Sequence, residues 1–280
     1  MKNLKPYDYH DTCIGNNSYE FFETIFKSKR DADLKTYFEN NKTIVGDSHQ
    51  LYDTKFKNNL LPEINESNGL TFIKDNFETL YSYTNSKIKK LRVAIKNLQD
   101  ITIKNKCQYC TINDHNTLDH FLPRSTYWEY VIHPLNLVPC CSACNSKMSD
   151  KENASLNLYL DTLPTEQYLF VNVTFTGSIP NFDFELKNVN NNTINAALYV
   201  KIKQHFVSLG LLERMKKAAL TEYTEFYNSI KAQLQHSNIS NIKSCTLSTI
   251  QNNKISYGHN HWKYIFQEAL INSQTFINLL

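Results

Sequence analysis

The sequence predicts an α+β chain that is mainly helical, and three observations carry that reading. Two long stretches repeat apolar residues every three to four positions, one before residue 100 and one after residue 194. Two neighbouring segments, "QYLFVNVTFTG" and "NFDFELKNV", instead alternate apolar and polar residues, as half-buried strands do. Between 101 and 155 lies a compact, turn-rich segment that holds five of the seven cysteines. Three regions follow: a helical N-terminal region over 1–100, a central module over 101–155, and a C-terminal region over 156–280 with two strands and then long helices.

In the first region Tyr19, Phe22, Ile25 and Phe26 recur at helical spacing. Leu51, Phe56 and Leu60 follow more loosely, then Phe72, Phe77, Leu80 and Tyr81. Pro62 and the "NESNG" turn interrupt it once. In the last region the strands are joined through "GSIPN". A long helical pattern then runs from Ile194 to about Leu234, bounded or bent by Gly210 and the Asn cluster at 190–192. The tail "HWKYIFQEALINSQTFINLL" reads as a final amphipathic helix, with Asn260 as its cap.

At 280 residues the chain can bury a sizeable core, and 41% apolar with 20% charged residues is ordinary for a globular protein. No run of eighteen apolar residues and no apolar leader is visible, so a cytoplasmic protein is expected. The net charge of +3 says little. Its distribution says more: Lys87, Lys89, Lys90, Arg92, Lys96, Lys104 and Lys106 face a single Asp100 just before Cys107. Such a stretch can attract a polyanion, although a solvated helix face is the simpler account.

Cys107-Gln-Tyr-Cys110 and Cys141-Ser-Ala-Cys144 are two Cys-x-x-Cys pairs thirty residues apart. In a reducing compartment such pairs read as a closed four-thiolate zinc site, structural in kind. Cys140 is a neighbouring thiol, but only Cys141 has the two-residue spacing to Cys144. Cys13 and Cys245 read as inert thiols.

The residues between the cysteine pairs form a set of their own. An Asp119-His120 pair is followed by Pro123, then Asn136 sixteen residues after the histidine, then Asn145 directly after the last cysteine. Taken alone, "LDHFLPRS" is a polar turn. With "CQYC" before it and "HPLNLVPCCSACNSK" after it, the segment resembles the HNH (His-Me finger, ββα-metal) nucleases over about 45 of 280 residues.

That resemblance implies a central ββα-metal module hydrolysing DNA with one catalytic Mg2+ or Mn2+ beside the structural Zn2+. Histidine titrates near neutral pH, so His120 is expected to take a proton from water. A hard cation stabilises the phosphate charge and the leaving oxygen. By resemblance, Asp119 and Asn145 hold that cation, with Asp119 ending the first strand and Asn145 starting the helix. Asn136 is expected to hold the loop carrying His120. Arg124 and Lys147 are candidates to grip phosphate. Many relatives carry a basic residue three positions after the final Asn, where this chain has Met148.

The resemblance further implies a restriction or anti-phage defence effector, working beside an ATPase or sensor protein partner. The competing readings are a non-catalytic zinc module that binds nucleic acid or a protein, and an RNA-cleaving toxin. His115 and His133 read as loop residues, His133 also being a candidate DNA contact. The "YGHNHW" histidines lack further ligands nearby. Tyr127, Trp128 and Tyr130 are expected to pack under the hairpin loop rather than stack on bases.

Overall fold

The computed structural model describes residues 1–9, 15–67, 73–148, 156–189 and 194–280. Cys13, Phe72, the end of the "NESNG" turn and the Asn cluster at 190–192 lie outside the described residues. The architecture is α+β and mainly helical, with two small antiparallel sheets. Among the described residues no helix is long and apolar enough to cross a membrane. The chain divides into two compact units: Asn3–Cys107 with Asp114–Leu160, and Met1–Lys2 with Gln108–Asn113 and Asp161–Leu280.

The first of these units is built on aromatic packing. Helix α1 (Ser18–Lys27) begins where Asn17 accepts from the Glu20 amide and the Glu20 carboxylate accepts from the Asn16 amide. Those bonds satisfy amides that a helix start leaves open. It buries Phe21, Phe22, Ile25 and Phe26. Helices α2 (Ala32–Asn40), α3 (Lys42–Lys57) and α4 (Lys74–Glu78) follow. Phe38 meets Phe22 and Phe77 edge to face at 5.1 Å each. Such contacts add about 0.5–1.5 kcal/mol beyond area burial. Helix α3 departs from the expected pattern, since Leu51 and Leu60 are exposed while Val45, His49, Tyr52 and Phe56 are buried. A histidine and a tyrosine take core positions there, which an apolar count passes over.

Helix α4 ends at Glu78, before Leu80 and Tyr81 rather than through them. Helix α5 (Ser86–Leu98), capped by Asn85, buries Ile88, Leu91, Ala94 and Ile95. It packs on β2. Strands β1 (Thr117–His120) and β2 (Leu137–Cys140) pair antiparallel, His120 opposite Leu137 and Leu118 opposite Pro139. A two-stranded sheet has only edges, so Pro139 costs it little. The one-turn helix α6 (Ser142–Asn145) packs on β1. Asn145 ends this helix instead of starting it. The reason is local: the Cys144 and Asn145 amides both bond to the Cys141 carbonyl, so the cysteine pair itself winds the turn.

In the other unit, β3 (Leu169–Thr176) and β4 (Ile179–Leu186) form a hairpin. Its connection is shorter than "GSIPN": Ile179 and Pro180 already pair with Thr176 and Phe175, and Gly177 takes φ 61° in the turn. The single long helix expected from 194 is two, α7 (Ala196–Leu209) and α8 (Leu211–Gln233). Gly210 separates them in the left-handed region at φ 58°, where a side chain would be strained.

Helix α9 (Ile239–Tyr257) has no counterpart in the sequence reading. It buries only Ile242, Ile250 and Lys254 among many Ser, Thr and Asn residues, so its apolar period is faint. The tail is also two helices, α10 (Trp262–Asn272) and α11 (Gln274–Asn278), divided at Ser273, whose hydroxyl accepts from the Phe276 amide. Asn260 caps neither. Its Oδ1 accepts from the Tyr168 and Leu169 amides at 2.7 and 3.1 Å, and its Nδ2 donates to the Glu166 carbonyl. It fastens the entry to β3.

Candidate active site and metal centre

Cys107, Cys110, Cys141 and Cys144 are buried, and their four sulfurs lie within 4.8 Å of one another. A tetrahedral zinc with Zn–S bonds of about 2.3 Å sets its sulfurs about 3.8 Å apart. The cluster can therefore hold a zinc ion with little adjustment. Cys140 is buried but stands outside the group. His259 and His261 belong to no such group either.

The first cysteine pair closes through a tight turn. Thr111 sits at φ 56°, uncommon for a β-branched residue, and the Ile112 amide donates to the Cys110 sulfur at 3.4 Å. Two side chains brace this turn. His205 bonds through Nε2 to the Tyr109 carbonyl at 2.8 Å, and Trp262 donates from Nε1 to the Thr111 carbonyl at 3.2 Å. Sequence reasoning singled out neither, because each lies over ninety residues away with no motif to announce it.

Asp119, His120, Arg124 and Asn145 line one cleft of 390 Å³, together with Tyr81, Tyr83 and Met148. Asp119 is buried, 5% exposed, so its carboxylate is largely withdrawn from bulk water. His120 Nε2 lies 2.8 Å from the Val131 carbonyl oxygen. A carbonyl only accepts, so Nε2 carries the proton, and in the neutral ring Nδ1 holds the lone pair. The Tyr81 ring packs edge-on against the imidazole, centroids 4.6 Å apart. Burial pushes the Tyr81 hydroxyl up to about 12. Tyr83 and Cys140 add to this, while Arg92 and Arg124 pull the other way. That hydroxyl stays protonated at neutral pH.

Asn136 is not in the cleft but wholly buried behind it. Its Oδ1 accepts from the Leu122 amide at 2.7 Å and from the Tyr52 hydroxyl at 3.2 Å. Its Nδ2 donates to the Leu122 and Tyr130 carbonyls, both at 3.1 Å. All four of its hydrogen-bonding positions are used. The loop that leaves β1 just after His120 is thereby tied at both ends.

Lys147 is exposed and does not line the cleft, whereas Met148 is buried and does. His133 is wholly buried, 3.4 Å from the Asp53 carboxylate, so it has no surface to offer DNA. His115 bonds the Lys104 carbonyl within a loop. Tyr127 and Tyr130 are buried, with Tyr130 packed on Tyr52 at 4.9 Å.

Tyr81, Tyr83 and Asn116 complete the cleft's frame. The Tyr83 hydroxyl donates to the Asn116 carbonyl, and the Asn116 side chain accepts from the Ser142 amide at 2.8 Å. One residue thus ties the Tyr83 wall to the first turn of α6, which carries Asn145.

No family model matches this sequence, and no solved structure matches it. The chain is similar to protein ea31 of Escherichia phage lambda, 26% identical over 260 residues that cover 85% of both proteins. It is also similar to the Septu protein PtuB of Bacillus thuringiensis, 35% identical over 66 residues. That second match covers 21% of this chain and 26% of the Bacillus protein.

Proposed function

We propose that the chain is a metal-dependent endonuclease of HNH type, hydrolysing DNA phosphodiester bonds with His120 as general base. One observation carries the reading. An imidazole whose Nε2 is committed to a carbonyl lines the same cleft as a buried carboxylate, an amide and an arginine. Asp119 and Asn145 offer the oxygen donors that Mg2+ or Mn2+ prefers, and two protein donors suffice for such an ion. When bound, the ion neutralises charge on the phosphate and on the departing oxygen.

The chain's own residues do the rest. His120 accepts a proton from water at Nδ1, and the Val131 carbonyl stabilises the imidazolium that results. Arg124 faces the phosphate. Asn136 and the Tyr81 ring keep the imidazole in place. The zinc site holds Cys144, and with it the neighbouring Asn145. The similarity to a Septu protein supports a role in anti-phage defence. In this reading the chain works beside a partner protein of the ATPase or sensor class.

The test incubates plasmid DNA and, in parallel, RNA with Mg2+ or Mn2+, comparing the native chain with His120→Ala. Cleavage by the native chain alone is expected. Equal cleavage by both proteins would remove His120 from the mechanism, and cleavage of RNA alone would reassign the substrate. Salt-sensitive binding with no turnover in any metal would favour a zinc module that only binds.

A further inference from the structure

We infer that α5 carries the phosphate track that leads nucleic acid into the cleft, with Arg92 as its fixed point. This rests on the nuclease reading above for its substrate, but on separate residues and a separate measurement. Lys89, Arg92 and Lys96 stand at i, i+3 and i+7, so they form one stripe along the helix. The stripe flanks the face that buries Ile88, Leu91, Ala94 and Ile95, with Arg92 and Lys96 half-exposed at its edge. At 1.5 Å per residue the stripe is about 10 Å long, and with the reach of its side chains it can meet three successive phosphates of one strand.

Charge and geometry distinguish this stripe from an ordinary solvated face. Asp100, the acid of this stretch, pairs with Lys5 at 2.7 Å, and Lys106 pairs with Asp114 at 2.7 Å. Among the described residues, Lys89, Arg92 and Lys96 have no carboxylate partner. A surface cation is usually mobile, yet the Arg92 guanidinium lies 3.7 Å from the Tyr83 ring centroid. Tyr83 in turn lines the cleft and is fastened to Asn116. Arg92 also reaches the electrostatic surroundings of Tyr81, as Arg124 does. Stacking leaves the guanidinium's N–H groups at its edge for a phosphate, which is the arrangement arginine offers and lysine does not. Helix α5 packs on β2, so the stripe and the β1–β2 pair belong to the same compact unit.

The experiment measures binding of a fluorescent DNA duplex against salt concentration, with no Mg2+ or Mn2+ added, so that no catalytic ion acts and the structural zinc stays bound. Each phosphate contact contributes about −0.9 to the slope of log K against log salt. Lys89→Ala/Lys96→Ala is expected to make the slope shallower by about 2, and Arg92→Ala by about 1. Tyr83→Leu keeps every charge and is expected to weaken binding about two- to fivefold, the range of an exposed cation–π contact. Tyr83→Phe, which keeps the ring, should restore it. Lys217→Ala/Lys231→Ala on α8 is the control and should leave the slope unchanged.

Wild-type slopes in both α5 variants would overturn the inference. So would an equal loss in the α8 control, or a native chain that binds no nucleic acid at low salt. The nuclease reading fails separately, if His120→Ala cuts as well as the native chain while the slopes behave as expected.

Discussion

Replacing Asn136 by Asp tests the structural logic of the cleft, because the two side chains share shape and differ in hydrogen-bonding sense. Aspartate keeps an acceptor for the Leu122 amide and the Tyr52 hydroxyl. It cannot donate to the Leu122 and Tyr130 carbonyls, which stand 3.1 Å from the present Nδ2. The Tyr130 carbonyl keeps its bond from the His133 amide, so the Leu122 carbonyl alone is orphaned, at roughly 1–3 kcal/mol; with about 0.5–1.5 kcal/mol for the second lost bond, the substitution should cost about 1.5–4.5 kcal/mol. Native stabilities are commonly about 5–15 kcal/mol, so the loss is a large share of the whole. Asn136→Ala also strands the Leu122 amide and should cost about 2.5–7.5 kcal/mol.

The Asp variant carries a second signature. Burial favours its protonated form, which can donate to one of the two carbonyls. Its folded-state pKa is therefore raised above the unfolded value. Stability is then retained at low pH and lost as pH rises, so the deficit against the native chain should be larger at pH 8 than at pH 5. Urea unfolding at both pH values reads this directly. A variant within about 1 kcal/mol of the native chain at pH 8 would refute the reasoning, since that is below the lowest cost expected for one orphaned carbonyl and one further lost bond.

Further outcomes are expected elsewhere. Burial lifts the Glu129 carboxyl from 4.5 to about 7. Stability present in acid is thus lost as pH climbs through 7, and Glu129→Gln should gain about 3 kcal/mol on the native chain between pH 4 and pH 8, read by melting temperature. Cys110→Ser should reduce bound zinc to well below one ion per chain by metal analysis. His120→Ala should keep one zinc and the native melting temperature, and zinc loss there would join two sites that are held apart above. Trp262→Phe removes the bond to the Thr111 carbonyl and should cost about 1 kcal/mol in unfolding free energy. Asn260→Ala orphans the Tyr168 and Leu169 amides and the Glu166 carbonyl, and should cost several times as much, about 3–6 kcal/mol.

What could be read from the sequence was chemistry carried by spacing. Two Cys-x-x-Cys pairs pointed to one four-thiolate cluster, and alternation located β3 and β4 within a few residues. Period alone could not divide the long helices, since the break at Gly210 turns on one backbone angle rather than on hydrophobicity. Helix α9 escaped because packing on α10, and not an apolar stripe, sustains it. The cleft's frame was hidden for a related reason. Tyr81 and Tyr83 follow a helix that ends early, and their neighbours Arg92, Asn116 and His120 are distant in sequence. Asn260 shows the same limit, as a residue suited to helix caps spent on a strand ninety residues away.

The brace through Asn116 has a thermodynamic consequence. Because one residue joins the Tyr83 wall, through its carbonyl, to the turn bearing Asn145, through its side chain, the cleft walls share their degrees of freedom instead of fluctuating separately. In the nuclease reading proposed above, a substrate entering it meets a shape already chosen, and little ordering of protein remains to oppose association. The entropy was surrendered during folding, where the aromatic core of α1 to α4 could offset it. Loosening that brace should therefore show first as slower chemistry at saturating substrate, with the reacting groups present but less often aligned.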